Sequence, residues 1–400
     1  MKSTSWYCVL VLFLAGSHAN AADEPQKEDS NASTAEKQAE DPYAVPDGDV
    51  AELLEFIQKT EQSRPRLRTR DEFNQHIKTS RAAIIKAADI VLGGSPKDSE
   101  AVTAVKAKFA ALEMLARVGD PHAADKTKEF ATSLKDDSRA GIQELVAFEL
   151  LKVRVADIAS LKLKQDKTTL LEDVAAQLKQ AGVDRENFAV AMNAARAFER
   201  GGDTDLAIAA YKQFAELIKT AKDDRLHQYS AKMEGSARRL GLPGKPIEIF
   251  GRTVDGDPFE IEQHKGKVVL VDFWATWCGP CIVELPNVKK QYEKYHKHGF
   301  EVVGVSLDSN KGRLDAFIAQ RDIPWTNLFS EEPDKTGWEH PMATRYGIMA
   351  IPATILVDRK GNVISLSARG KQLGKLLEEA IGPVESASDA NDSKESKAGK

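Results

Sequence analysis

The hydrophobic periodicity of the chain changes once, at Leu242–Pro246, and this change constrains the fold more than any other feature. From Val50 to Leu240, apolar residues recur at the spacing of one face of an α-helix, with almost no strand signal. Beyond Pro246, short β-branched and aromatic runs alternate with helical patterns. The sequence therefore predicts an all-α region, 50–241, followed by an α/β domain, 242–383, with a mixed central sheet.

The helical region carries periodic segments separated by short glycine-containing connections, which is typical of antiparallel packing. Two segments, Glu186–Arg200 and Asp205–Thr220, are similar to a tetratricopeptide unit, although most signature residues of that repeat are missing. A helical bundle and a tetratricopeptide-like solenoid both remain open. No cluster of metal ligands or paired carboxylates at helical spacing stands out in this region.

Both ends of the chain have the composition of segments outside a folded core. Residues 1–21 combine a basic start, a short apolar run and an Ala19-Asn20-Ala21 cleavage site, which predicts a secretory signal peptide. The leader, 22–49, and the tail, 384–400, are polar and lack large apolar residues, which predicts disorder. We expect a periplasmic or secreted protein. An uncleaved membrane anchor is the alternative, although the apolar run is too short to span a bilayer.

Size and charge narrow the classes of partner. The 400 residues, 42% of them hydrophobic, suffice for two domains with cores of their own. A formal net charge of −5 argues against a nucleic-acid partner or an anionic membrane partner.

The chain has three cysteines, and Cys8 leaves with the predicted signal peptide. The other two, Cys278 and Cys281, stand where a predicted buried strand, 267–274, gives way to a helix. A helix N-terminus stabilises a thiolate, which is the nucleophile of disulfide exchange. Cys278 is therefore the predicted attacking thiol, and Cys281, expected to be more buried, the resolving thiol. Gly279-Pro280 starts the helix with a fixed φ angle.

Two other uses of the cysteine pair compete with redox chemistry. A permanent structural disulfide over so short a loop gains only about 2 kcal/mol in the chain-entropy model. A zinc site needs two further ligands, which would have to come from irregularly spaced histidines. The candidate histidines are His264, His296, His298 and His340. We expect neither a metal nor a bound cofactor.

Two motifs resemble the thioredoxin superfamily. The run from Leu270 to Cys281, LVDFWATWCGPC, resembles the active-site strand and loop of thioredoxins, and Gly347–Thr354 resembles their cis-proline loop. The hairpin before the strand and Glu284-Leu285-Pro286 after the motif resemble the exported TlpA/ResA branch, which belongs to the redoxin type. The resemblance covers about Gly244–Ile381 and implies a thioredoxin-like fold for the α/β domain.

The resemblance implies further site residues. Pro352 should be cis, and the backbone of Ile351 should pair with a substrate chain. Asp272 matches a buried proton acceptor with a raised pKa, although a structural polar residue is the alternative. Glu284 matches the acid of the TlpA/ResA branch, but a solvated helix position would explain it too. Trp277, Gly279 and Pro280 complete the implied substrate surface. Thioredoxins usually carry a lysine at the position of Ile282, so proton handling here departs from their pattern.

The preferred function is an exported thiol-disulfide oxidoreductase that acts as a reductant, because Gly-Pro between the cysteines resembles thioredoxin, with a potential of about −270 mV. The implied partners are protein disulfides, with apocytochrome c as one candidate, and a membrane thiol-electron transporter that supplies electrons. One alternative is a peroxiredoxin-like peroxidase, for which Thr276 is near but the expected proline is missing. Another is a helical partner-binding module that carries a redox sensor head.

Overall fold

The computed structural model describes residues 41–384. The predicted signal peptide, the leader up to residue 40 and the tail from residue 385 lie outside the described residues. The described part of the leader ends in an ordered contact, because Val45 packs against the first helices and Asp49 caps the first one. From Val45 on, the described chain belongs to one compact unit.

The first described α-helix begins at Val50. The described α-helices of the helical region are α1 (Val50–Gln62), α2 (Arg70–Gly93), α3 (Asp98–Arg117), α4 (Ala123–Ser133), α5 (Ala140–Ala156), α6 (Lys164–Ala181), α7 (Arg185–Arg200), α8 (Thr204–Ile218) and α9 (Asp224–Leu240). The first two helices begin with capping boxes. The side chains of Asp49 and Thr69 accept hydrogen bonds from the backbone N–H groups of Glu52 and Glu72, and the two Glu carboxylates accept from the N–H groups of the cap residues.

Each helix packs mainly against its neighbours in the sequence, so the helices form a linear array. Their apolar side chains fall into three clusters: one beneath α1 to α3, one beneath α3 to α5, and one from α5 to α9. Nearest-neighbour packing with successive clusters is typical of solenoids rather than of a bundle around one core. Within the described chain, the packing therefore favours the solenoid alternative.

The C-terminal part is a thioredoxin-like domain with a mixed five-stranded sheet, which confirms the predicted fold class. Its strands and helices are β1 (Phe250–Arg252), β2 (Pro258–Glu260), β3 (Val268–Trp274), α10 (Gly279–Tyr295), β4 (Phe300–Ser306), α11 (Lys311–Gln320), β5 (Thr326–Leu328), α12 (Pro341–Arg345), β6 (Ala353–Val357), β7 (Val363–Ser365) and α13 (Lys371–Ile381). β1 and β2 form a separate antiparallel hairpin.

The strand order is β5-β4-β3-β6-β7, with β3 in the centre. β4 lies parallel to β3 on one side, and β6 lies antiparallel to it on the other. Every residue of β3 except Asp272 is buried, because helices cover both faces of the sheet and leave no room for a polar alternation. The carboxyl end of this central strand leads directly to the cysteines.

Some boundaries differ from the sequence prediction. The periodicity predicts helices over 140–160 and 168–180 and a last strand over 363–368. In the structure, α5 ends at Ala156, Ile158–Ser160 forms a 3-10 turn, and α6 already begins at Lys164. β7 ends at Ser365, because the backbone of Ala368 donates to the Thr354 hydroxyl instead of continuing the ladder. No helix within residues 41–384 has the length and apolar character needed to cross a membrane.

The helical region packs on the sheet domain through α9. Two glycines allow the close approach: a Cβ on Gly235 would lie 2.3 Å from the Thr344 carbonyl oxygen, and one on Gly347 would lie 2.2 Å from that of Lys232. The Ser236 hydroxyl also donates to the Gly347 carbonyl oxygen at 3.2 Å. Helix α9 is thereby fixed against the segment that leads into Ile351 and Pro352.

Ionic contacts reinforce this junction. The buried Lys232 ammonium lies 2.5 Å from the Glu339 carboxylate. The Arg239 guanidinium donates to the Tyr346 carbonyl oxygen at 3.1 Å and to the Glu199 carboxylate at 2.9 Å. The partners from the sheet domain all lie in 339–347, just before the cis-proline loop.

Candidate active site

The cysteine pair sits at the N-terminus of α10, one short loop after β3. Cys278 is the cap residue of this helix, and Pro280 lies in its first turn, where a missing N–H costs no hydrogen bond. The Cys278 Sγ accepts a hydrogen bond from the Cys281 backbone N–H at 3.2 Å. Gly279 has open space at its Cβ position. The first sulfur thus lies where the unpaired N–H groups of the helix can stabilise negative charge.

The two cysteines form a disulfide with an S–S distance of 2.07 Å. The expectation that Cys281 is more buried is wrong, because Cys278 is 4% exposed and Cys281 6%. Both side chains belong to the apolar cluster of the sheet domain, and the residues packed around them shield them from solvent. A client disulfide can therefore reach the Cys278 sulfur only where the surrounding side chains leave it exposed.

Asp272 lies in β3, on the strand that ends at the cysteines. Its Oδ1 atom is buried and has no hydrogen-bond partner within residues 41–384. Burial raises the pKa of the Asp272 carboxyl to about 7, and the negative charge of Glu284 adds to the effect. A carboxyl group with this pKa exchanges its proton near neutral pH, which suits a general acid or base.

Glu284 is held in place by hydrogen bonds rather than left in solvent. Its Oε1 atom accepts from the Gly370 backbone N–H and from the Asn287 side-chain amide, both at 2.7 Å. These bonds connect α10 to the start of α13. The alternative of a merely solvated helix position is therefore wrong, and Glu284 acts electrostatically on Asp272.

The cis-proline loop lies on the other side of β3. The Ile351–Pro352 bond is cis, and β6 begins immediately after it. In the sheet register, Asp272 is paired with Thr354, two residues beyond Pro352. Ile351 and Pro352 are both half-buried. The antiparallel pairing of β3 and β6 thus brings the loop to the cysteine end of the sheet.

Sequence reasoning missed Asp308, which anchors the loop in front of the cysteines. The buried Asp308 carboxylate accepts from the Thr276 backbone N–H at 3.0 Å and from the Thr276 hydroxyl at 2.5 Å. It also accepts from the Ser306 hydroxyl at 2.9 Å. Asp308 follows the carboxyl end of β4, the parallel neighbour of β3, and that position could have identified it.

The surface around the disulfide is aromatic and apolar. Trp277 is 55% exposed, and its ring packs edge-on against Trp338, with 6.0 Å between the centroids. Val283, on the first turns of α10, is also exposed. Trp274 faces the interior instead, where its indole N–H donates to the Asn327 side-chain oxygen at 3.0 Å. Within residues 41–384, no group of three or more His, Cys, Asp or Glu side chains is arranged to hold a metal ion.

Comparisons with known proteins place similarity in this same part of the chain. The Redoxin family model matches residues 243–375. The thiol-disulfide oxidoreductase ResA of Bacillus thuringiensis is 32% identical over 139 residues, which cover 34% of this chain and 76% of ResA. The thiol:disulfide interchange protein HelX of Rhodobacter capsulatus is 31% identical over 125 residues, which cover 31% of this chain and 62% of HelX.

A solved structure matches the same third of the chain. The thioredoxin domain of a thiol-disulfide oxidoreductase from Bacteroides vulgatus is 28% identical, with a TM-score of 0.32. The match covers 35% of this chain and 97% of that domain.

Proposed function

The chain belongs, through its C-terminal third, to the ResA-like thiol-disulfide oxidoreductases, and we propose that it reduces protein disulfides with Cys278 and Cys281. The observation that carries this proposal is the position of the pair: a disulfide at the N-terminus of α10, with the buried carboxyl oxygen of Asp272 on the adjoining strand. We propose that residues 242–383 form the redox domain and that residues 50–241 form a helical domain that binds the client proteins.

In the proposed reaction, the reduced protein begins with a Cys278 thiolate. The thiolate attacks one sulfur of a client disulfide, forms a mixed disulfide and expels the other client sulfur as a thiolate. Cys281 then loses its proton to Asp272 and attacks the Cys278 sulfur, which releases the second client thiolate. Two electrons pass to the client, and the protein is left with the Cys278–Cys281 disulfide found in the structure.

Asp272 is suited to the proton transfer because its pKa of about 7 lies between those of a carboxylic acid and a thiol. A group of ordinary acidity would be too weak a base for a thiol. Glu284 contributes by its charge, which favours the protonated form of Asp272. We therefore propose Asp272 as the proton acceptor and Glu284 as a positioning residue that sets its pKa.

The proposal includes the direction of electron transfer and the compartment in which the protein works. Gly279-Pro280 between the cysteines supports a reducing potential near that of thioredoxin, about −270 mV. The signal-like segment 1–21 supports export, so electrons would come from a membrane thiol-electron transporter, and the clients would be exported proteins such as apocytochrome c. Equilibration with dithiothreitol buffers measures the potential. A value near −120 mV would indicate an oxidant instead.

Two serine variants test the mechanism. Cys278→Ser should abolish reduction of insulin disulfides, because the attacking sulfur is lost. Cys281→Ser should accumulate mixed disulfides through Cys278, which mass spectrometry of the trapped species can locate. Cys278→Ser protein that kept its activity would refute the assignment. Trapping in intact cells would also identify the clients.

A further inference from the structure

A cavity of about 390 Å³ opens beside the cis-proline loop, between that loop and the helical region. On the sheet-domain side, its walls include Met349, Ala350 and Ala353, which flank the Ile351–Pro352 bond. On the other side they come from α7, α8 and α9. This volume is within the range of ligand sites in proteins, about 300–1,000 Å³.

The helical side of the cavity is positively charged. Glu199, the acidic residue of the wall, is already engaged, because it accepts from the Tyr211 hydroxyl at 2.8 Å and from the Arg239 guanidinium at 2.9 Å. Arg239 also donates to the Tyr346 carbonyl oxygen. These bonds pair the charge of Glu199 with that of Arg239, so neither is available to a ligand.

Two arginines of α7 remain without a charge partner among residues 41–384. The Arg196 guanidinium lies 3.9 Å from the Met349 sulfur, which is a weak acceptor and carries no charge. Arg200 is exposed, and its side chain has no hydrogen bond or ion pair with any residue in the described range. The cavity wall therefore carries two uncompensated positive charges above a partly apolar floor that includes Ile355 and Leu366.

The position of these charges relates them to the client chain. Met349 and Ala350 line the cavity and directly precede Ile351, whose backbone the resemblance implies as the pairing partner of the client. A client chain paired there would extend along the cavity wall. Guanidinium groups bind carboxylates with paired, charge-assisted hydrogen bonds. A carboxylate side chain on an extended chain fits both the apolar floor and the charged wall.

We propose that Arg196 and Arg200 form a specificity subsite that binds an acidic side chain of the client polypeptide close to its disulfide. The inference rests on the proposed function and adds a client class to it: polypeptides with Asp or Glu near the reactive cysteine. It also gives the helical region a direct part in client selection.

The test uses the full chain and two synthetic peptides, each closed by one disulfide and identical except for Glu or Lys beside the cysteine. Wild-type protein should reduce the Glu peptide with a kcat/KM about tenfold higher than that of the Lys peptide, mainly through KM. Because exposed charges are screened by salt, the ratio should fall towards one at 1 M NaCl. The variant Arg196→Glu/Arg200→Glu should reverse the preference.

Three controls separate the outcomes. Arg196→Gln/Arg200→Gln removes the positive charges without adding negative ones, and should bring the ratio of kcat/KM for the Glu and Lys peptides close to one. Arg70→Glu changes an exposed arginine at the start of α2 and should leave the wild-type preference intact. Hydroxyethyl disulfide, small and neutral, should be reduced equally by all four proteins, which reports that the dithiol and the fold are unharmed.

Equal Glu and Lys preferences in the wild type and both double variants would overturn the subsite, while the proposed function would stand. The subsite would also be overturned if the arginine variants slowed only the re-reduction of the protein by its electron donor. Failure of the wild type to reduce hydroxyethyl disulfide and both peptides would instead overturn the proposed function.

Discussion

The helical region and the thioredoxin-like domain bury their apolar side chains in different ways. The helical array distributes them over three successive clusters, rich in alanine, so each helix depends on its neighbours. The sheet domain has one cluster that includes the cysteines themselves. A single close-packed core can hold reacting groups in fixed positions, whereas an array presents a long surface. In the proposed function, the single core holds the dithiol in place, and the array adds surface beside the cis-proline loop for contact with the client.

The two regions also differ in how they accommodate a buried carboxyl oxygen. In the helical region, the carboxylate of Glu149 is buried but lies 2.7 Å from the Lys152 ammonium. In the sheet domain, Asp272 has a buried oxygen with no partner within residues 41–384. A buried carboxylate without a partner destabilises the folded protein, and such groups are concentrated at functional sites.

The largest expected effect is the change in stability with pH that the Asp272 carboxyl causes. In the folded protein the pKa of Asp272 is about 7, against an ordinary value of 3.8, so between pH 4 and 7 only the folded state holds the proton. Stability should therefore fall as pH rises through this window, by up to about 4 kcal/mol. Asp272→Asn should remove the fall and exceed the wild type at pH 8. Urea unfolding of the oxidised proteins at pH 4.5, 6 and 8 measures it.

Glu284→Gln serves as the matched control for that experiment. The amide oxygen can still accept from the Gly370 N–H, but the charge that raises the pKa of Asp272 is gone. The pH midpoint of the stability change should move to lower pH. Identical pH dependence in the wild type and Asp272→Asn would show that another group causes the fall.

The junction between the two regions gives the next largest effect. Gly347 has a φ of +58°, and an added Cβ would lie 2.2 Å from the Lys232 carbonyl oxygen. Gly347→Ala should therefore lower the free energy of unfolding by about 3 kcal/mol, through strain and a backbone clash. Gly182→Ala has a similar φ of +84° but open space, and should cost about 1 kcal/mol. Equal losses in chemical denaturation would mean that the close approach contributes nothing.

A smaller effect concerns the loop before the cysteines. Asp308→Asn replaces a carboxylate that accepts three hydrogen bonds with an amide that has one accepting oxygen. We expect a loss of about 2 kcal/mol in thermal or urea unfolding and slower insulin reduction, because Thr276 is no longer fixed. Asp315→Asn, on the solvent side of α11, is the control and should change neither quantity. Unchanged kinetics in Asp308→Asn would remove the positioning role.

The smallest effect compares two ion pairs. Glu339→Gln leaves the Lys232 ammonium, only 7% exposed, beside a neutral group and should cost about 1 kcal/mol. Glu332→Gln breaks the exposed Lys335 pair and should cost at most a few tenths of a kcal/mol. If urea unfolding gave equal losses, the junction pair would contribute no more than a surface pair.

Much of the fold could be predicted because its signals are local. The capping box at Thr69 and Glu72 and the unbroken apolar run of β3 each lie within a few neighbouring residues. Boundaries were less accurate where tertiary contacts decide them, as at Ala368, whose N–H donates to Thr354. The predicted domain limits, 50–241 and 242–383, remain a proposal.

The site divides in the same way. Cys278 and Cys281 could be found from spacing, and the resemblance pointed to Asp272 and Pro352. Asp308 could not be found so directly, because it is 32 residues from the Thr276 that it binds. The relative burial of the two cysteines also escaped prediction, since exposure depends on everything packed around them.

The change from helical array to mixed sheet, and the place of the cysteines at the junction of a strand and a helix, can be read from the sequence alone. Periodicity and capping act within one or two turns, so they specify which element forms and which face is apolar. The packing of α9 against Gly347, and the position of Arg196 and Arg200 beside the cis-proline loop, depend on the folded arrangement of the two regions. Those contacts join residues more than a hundred positions apart, and the shapes of both surfaces select them.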